Sequence, residues 1–304
     1  MRNAYIEQIS LLLSVLPSIS AEEVFALKGG TAINLFYRDM PRLSVDIDLT
    51  YLPVHNRETS LKEIDSALDR IIRTLAWRNP ELVPERNVSR EGTRTRVLVR
   101  NQRVRIKIET SPVLRGTINP PVRMAVAESV IKEFGFAEAN VVMFEEVYAG
   151  KIVAALDRQH PRDLFDVKIL YDNEGLTDNL FSMFLVYLAG SRRPMHEVLA
   201  PNTSIADSQI DTEFAGMTEN SVPKETLMKT QARLLTDIRS RLMGDSARFL
   251  LSLHDAEPDF KLIDIVGANE LPAVKWKVQN LQRLKTENPH KHASQREALV
   301  DLLR

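Results

Sequence analysis

The feature that most constrains this chain is a five-residue alternation, Val45-Asp46-Ile47-Asp48-Leu49. Apolar residues at every second position specify a strand with one buried face, and the same period puts both carboxylates on the other face. Two residues of strand rise hold their Cα atoms roughly 6–7 Å apart. Left bare, the pair would repel and at least one carboxyl pKa would rise. A divalent cation relieves that conflict. Magnesium suits it, taking few protein carboxylates and keeping positions for water and phosphate oxygens. An exposed polar strand face is the plain alternative for an Asp-x-Asp pair.

Upstream, the short apolar run 24–27 (a strand or a late helix) leads into Gly29-Gly30-Thr31, and residues 32–37 have helix-forming character. The backbone N–H groups of such a turn, with the helix N-terminus behind it, can take a phosphate, and glycine permits the close approach. A tight turn with no ligand is the alternative. Downstream, residues 94–99 and 104–109 read as two strands joined through Asn101-Gln102. Val104, Ile106 and Ile108 face one way, and Arg105, Lys107 and Glu109 the other. Glu109 is therefore a candidate third carboxylate, able to complete a two-ion site or to deprotonate an acceptor hydroxyl.

The formal net charge is −1, so any site for a polyanion is a local patch. One such patch runs from Arg86 to Lys107, including Arg90, Arg94, Arg96, Arg100, Arg103 and Arg105, with Glu91 its single acid. It reads either as a solvated hairpin face or as a groove.

Helical periodicity covers residues 3–16, ending before Pro17, and 60–75, with a capped helix start expected at 20–23. Residues 144–156 form a helix bearing Lys151, Gln159-His160-Pro161 a break, and 162–170 the next helix. Lys151 and Arg158, seven residues apart, share a helix face. Asp163 and Asp166 share one near a helix start, where dipole complementarity alone would favour them. From 179 onward the pattern is mostly helical (180–188, 224–243, 245–253, 275–286), with 200–222 read as a long loop. A soft boundary near residue 175 separates an α+β part, 1–175, from a helical part, 176–304.

Other chemistries fall away. Cysteine is absent, which removes disulfides, thiolate catalysis and cysteine zinc sites. No apolar run reaches the ~18 residues of a membrane span, and residues 9–16 read as the first helix rather than a signal peptide. A cytoplasmic location is expected. There is no phosphate-binding Gly-x-x-x-x-Gly-Lys loop and no serine elbow. Apart from His290 and His292, which a surface tail explains, the histidines lack ligand spacing.

Taken together, Leu27-Lys28-Gly29-Gly30-Thr31 and Arg42-Leu43-Ser44-Val45-Asp46-Ile47-Asp48-Leu49 resemble motif I of the DNA-polymerase-β-like nucleotidyltransferases, in the form found in the AbiEii/AbiGii toxin family that includes the MenT toxins. The likeness continues in Val104–Glu109, in Glu146-x-x-x-Gly150-Lys151 through Arg158, in Arg162-Asp163-Leu164-Phe165-Asp166, and in residues 271–281. The resemblance implies a polymerase-β-like core, a mixed sheet with flanking helices, followed by a largely helical region. It implies Asp46 and Asp48 as ligands of Mg2+ (or Mn2+), with Glu109 a further metal candidate. Gly29, Gly30, Thr31, Ser44 and Arg158 would hold the nucleotide, and Lys151 would be the catalytic lysine. One of Asp163 and Asp166, Asp163 being the first choice, would be the later functional aspartate.

It further implies transfer from an NTP to an acceptor hydroxyl by a toxin of a toxin–antitoxin or phage-defence module. The tRNA 3′ end is the expected acceptor, translation the target and a cognate antitoxin the partner, with no membrane involved. Arg94, Arg96, Arg103 and Arg105, or Lys275, Lys277, Arg283, Lys285 and Lys291, would line a tRNA groove. Rival readings are a small-molecule, antibiotic-type nucleotidyltransferase, which calls for an acidic pocket, and a non-catalytic protein that binds NTP and acts through a partner.

Overall fold

In the computed structural model, which describes residues 2–87, 95–201 and 205–304, the alternating segments assemble one seven-stranded mixed sheet. It lies in the first of two compact units, Met1–Val147 with Gly216–Ser221. In chain order this unit contains α1 (Arg2–Ser20), β1 (Phe25–Lys28), α2 (Gly29–Ala32), which continues as a π-helical turn to Tyr37, and β2 (Asp46–Tyr51). There follow α3 (Arg57–Arg78), β3 (Val83–Asn87), β4 (Arg96–Arg100), β5 (Arg105–Thr110), β6 (Val122–Ala125), α4 (Glu128–Phe134) and β7 (Glu138–Val141). The strand order is β3-β4-β5-β2-β1-β7-β6. Pairs β2–β5 and β1–β7 are parallel and the others antiparallel.

One face of the sheet is core. Ile47, Leu49 and Tyr51 of β2, Ile106 and Ile108 of β5, and Val97 and Val99 of β4 are buried, and α1 and α3 pack together and onto the sheet. Helix α3 starts where the Asn56 side chain accepts the Thr59 N–H, and buries Ile64, Leu68, Ile71 and Leu75 along one stripe. The other sheet face carries the polar residues of the alternation.

Helix α1 departs from expectation: it does not stop before Pro17 but runs to Ser20. The missing Pro17 donor is outweighed by burial of Val15, Leu16 and Ile19 on the same helix. Ser20 accordingly ends a helix rather than capping a new one, and its hydroxyl donates to the Glu138 carbonyl.

The second unit, Tyr148–Ala215 with Val222–Arg304, is helical. Its elements are the remainder of α5 (Phe144–Arg158), then α6 (Pro161–Asn173), α7 (Asp178–Ala189), α8 (Met195–Leu199), α9 (Asp207–Glu213), α10 (Lys224–Arg241), α11 (Asp245–His254), α12 (Pro272–Glu287) and α13 (Pro289–Leu302). Helix α7 is apolar nearly all round and buried, with α11 and α12 packed on it, while α10 packs on α6. The boundary expected near 175 falls inside this unit, which begins within α5. Residues 200–222 are not simply loop: α9 forms there, and Phe214 and Met217 are buried. The α+β expectation is met, with a mixed sheet flanked by helices and a helical C-terminal region. No helix of the described residues is long and apolar enough to cross a membrane.

Candidate active site

Strand register assembles the first cluster. β1 pairs with β2 so that Lys28 stands opposite Asp48, and β2 pairs with β5 so that Asp46 stands opposite Lys107 and Asp48 opposite Glu109. Asp46 and Asp48 are half-buried on the polar face, between buried Ile47 and Leu49. At the end of β1 the chain turns sharply at Gly29, whose φ is +72°. A Cβ there would lie 2.6 Å from Asp48 Oδ2, so glycine is required both by the backbone angle and by the carboxylate against it. A Cβ at Gly30 would lie 2.6 Å from the Arg42 guanidinium and 3.0 Å from Ser44 Oγ.

The polar side chains of the turn are largely committed to building it. Thr31 Oγ1 donates to the Asp46 carbonyl at 2.5 Å and lies 3.1 Å from Ser44 Oγ. Asn34 Nδ2 donates to the Gly30 carbonyl at 2.9 Å. Leu43 is fixed by its N–H, which donates to the Met217 carbonyl at 2.7 Å. Thr31, Arg42 and Ser44 are buried. What the turn offers a ligand is the backbone N–H groups at the start of α2, which lack helical partners, and the charge of Arg42.

Carboxylates and cations lie side by side on this face. Glu109 receives Arg96 Nε at 2.5 Å and lies 2.8 Å from Lys107 Nζ. Burial acts to raise the Glu109 pKa, but Lys107 and Arg96 outweigh it and hold the carboxyl below its ordinary value. Lys107 is opposed by burial yet kept charged by Glu109, Asp46 and Asp48. At Lys28 burial wins: its pKa is lowered despite the pull of Asp48 and Glu109. Three carboxylates thus face Lys28, Lys107 and Arg96, so the aspartates are not the bare repelling pair that the sequence alone implies.

The donor set of Asp46 and Asp48 suits a hard divalent ion that takes its other ligands from water and phosphate. Among the described residues no group of three or more His, Cys, Asp and Glu is gathered to hold a metal unaided.

A second cluster belongs to the second unit. Lys151 of α5 is buried and meets Asp163 at 2.7 Å and Asp166 at 3.0 Å, both on α6 and both buried. Arg158 adds a two-pronged contact to Asp163, at 2.6 and 3.1 Å. Burial would raise the Asp163 pKa, but Lys151 and Arg158 dominate and hold it well below the usual carboxylate range. Helix α6 starts where Pro161 follows His160, whose Nδ1 accepts the Arg162 N–H, while its Nε2 meets Glu213 of α9 at 2.7 Å. Asp166 therefore pairs with Lys151, while the ion pair of Arg162 among the described residues is with Glu213 at 4.0 Å.

Some sequence-derived groove residues are placed otherwise. Lys277 is buried, its ammonium donating to the carbonyls of Ser191 and Arg193 at 3.0 and 2.6 Å, so it lines no surface groove. Lys275, Arg283 and Lys285 are exposed but face Glu270, Glu287 and Glu257. His292 is no surface-tail residue: it is buried against His254, ring centroids 4.4 Å apart. Arg90, Glu91 and Arg94 lie outside the described residues. Sequence reasoning missed Lys28 and Arg42 as site residues. Both stand within the quoted motif, but only strand register and the Gly30 contact bring their side chains to the site.

A family model described as the nucleotidyl transferase AbiEii toxin of type IV toxin–antitoxin systems matches residues 10–280. Among solved structures, MenT4, a nucleotidyltransferase toxin from Mycobacterium tuberculosis H37Rv, has a similar fold, with a TM-score of 0.53 and 15% identity over 99% of each chain. No curated protein matches the sequence.

Proposed function

The chain belongs to the AbiEii family of nucleotidyltransferase toxins of type IV toxin–antitoxin systems, and from that premise we propose that it transfers a nucleotide from an NTP to the 3′ hydroxyl of tRNA in the cytoplasm. Blocking that end halts aminoacylation and hence translation, the effect through which a toxin–antitoxin or phage-defence module would act. The observation that carries the reading is the placement of Asp46 and Asp48 on one face of β2, beside the Gly29-Gly30 turn. Membership of the family implies an NTP substrate and a cognate antitoxin.

In this reading Asp46 and Asp48 hold Mg2+ or Mn2+, which when bound neutralises triphosphate charge and polarises the reacting phosphate. The α2 N–H groups and Arg42 orient the triphosphate. Lys107, held charged by Glu109, and Lys28 on the far side of Asp48 keep the carboxylates apart and fixed. The acceptor oxygen forms a bond to the α-phosphorus, the α–β phosphoanhydride bond breaks, and pyrophosphate leaves. The hydroxyl proton passes to a carboxylate of the same face. Catalysis is mainly positioning and charge neutralisation. Lys151, clasped by Asp163 and Asp166, is read as the family's lysine, and Arg158 as a further nucleotide-holding residue of that motif.

Incubation of the purified protein with each labelled NTP, magnesium and total RNA tests the proposal. Label in tRNA-sized material is the expected result. Label confined to small molecules would instead make it an antibiotic-type transferase, and no label with retained NTP binding a non-catalytic module.

A further inference from the structure

The polar sheet face extends beyond the carboxylate pair toward the β4–β5 turn. Its rows, read across the strands, are Lys28–Asp48–Glu109–Arg96, then Asp46–Lys107–Leu98–Glu85, then Arg105–Arg100–Val83. Successive rows are roughly 7 Å apart along the strands. The third row lies at the hairpin end, where Arg100, Asn101, Arg103 and Arg105 together with Ala4 and Gln8 of α1 line an open hollow of about 400 Å3.

The four arginines on and around this hairpin are not equivalent. Arg96 is committed to Glu109. Arg100 meets Glu85 at 3.0 Å and Arg103 meets Glu7 at 3.5 Å, all of them substantially exposed. Exposed pairs of this kind contribute little, so a phosphate can displace either partner. Arg105 is exposed, and among the described residues it has no ion pair.

We propose that this hairpin end is the docking surface for the acceptor RNA: Arg100, Arg103 and Arg105 take backbone phosphates of the acceptor strand and lead its 3′ end along the polar face toward Asp46 and Asp48. The inference rests on the reading above and assigns that reaction its acceptor path. Three features favour RNA over an acidic protein. Arginine forks match phosphate oxygens two at a time. The side chains beside the arginines include the uncharged hydrogen-bonding groups of Gln8, Asn101 and Gln102. By strand register Arg100 and Arg105 belong to the polar face that carries Asp46 and Asp48, one row beyond Asp46. Leu98, half-buried in the middle row, offers an apolar floor for a ribose or base on the way.

The test is the double variant Arg100→Glu/Arg105→Glu, with Arg105→Gln alone as the milder change, titrated with bulk deacylated tRNA from about 50 to 300 mM salt. The expected result for the double variant is a tRNA Kd raised at least about tenfold and a log–log salt slope shallower by about 1.4–1.8, two lost phosphate contacts at about 0.7–0.9 each. KM for tRNA rises while kcat at saturating tRNA is retained, and the melting temperature and the affinity for NTP alone stay as in wild type. If wild type labels tRNA but the variants bind it with unchanged affinity and salt slope, the acceptor path lies elsewhere and the inference falls while the enzyme reading stands. If the variants keep tRNA but lose the cognate antitoxin, the surface is a protein interface, which also overturns it. If wild type labels no RNA at all, the reading itself has failed first.

Discussion

Position 29 admits one residue. Gly29→Ala places a Cβ 2.6 Å from Asp48 Oδ2 on a backbone at φ +72°, and of the order of 1–3 kcal/mol of strain follows. The expected outcome is a measurable drop in urea midpoint together with loss of transfer, because the Asp48 carboxylate has to move. Lys151 makes a different point. Lys151→Ala leaves Asp163 and Asp166 buried with their main cation gone, and a destabilisation of about 3–5 kcal/mol is expected by denaturant titration. Turnover in that variant therefore has to be read against its folded fraction.

Lys277 supplies a pH signature. Burial pushes its pKa down from 10.5 to about 8, so between those values the unfolded chain binds a proton that the native lysine has shed. Native stability rises with pH across that window, by at most about 1.4 kcal/mol per unit. Comparing urea midpoints at pH 8 and 10 for wild type and Lys277→Met should show the rise in wild type and a smaller one in the variant. At this scale Asp46, Asp48 and the glycine turn were legible, because period-two alternation and glycine pairs are local signals. Lys28, Arg42 and the engagement of Glu109 by Arg96 were not, because each depends on which strand lies beside which.

Elements were read well where periodicity was long and poorly where a local rule met a tertiary one. The helices at 57–78, 224–241 and 245–254 follow their apolar stripes. Pro17 and Ser20 misled because chain-local rules for helix stops and caps cannot know that Leu16 and Ile19 are driven into the core. Helix α9 went unseen in 200–222 because it is short and buries none of its own residues, its place being marked by Phe214, whose ring packs on Phe165. Glu146, which sits in a motif-like stretch, turns out to serve an element: buried at the start of α5, it accepts the N–H groups of Ile118 and Asn119 at 2.9 and 2.8 Å. Glu146→Ala should cost about 1–3 kcal/mol for the orphaned donors. Faster hydrogen exchange at Ile118 and Asn119 would report the loosened loop, and unchanged exchange would assign Glu146 another task.

For the whole chain, the family match fixes the class of reaction, while the residue roles proposed above are argued from the geometry of each unit. The α+β core with a helical continuation was visible in the order of patterns along the sequence. The division into units was not, since residues 148–173 look the same to a sequence pattern whether they pack on a sheet or on other helices. The central claim concerns two side chains, and α-labelled NTP incorporation into tRNA by Asp46→Asn and Asp48→Asn, each shown to melt like wild type, tests it most directly. The account predicts that either substitution lowers the rate by at least about 10³-fold, as expected for loss of a principal charge-stabilising group. Wild-type incorporation by a folded Asp48→Asn protein would contradict it.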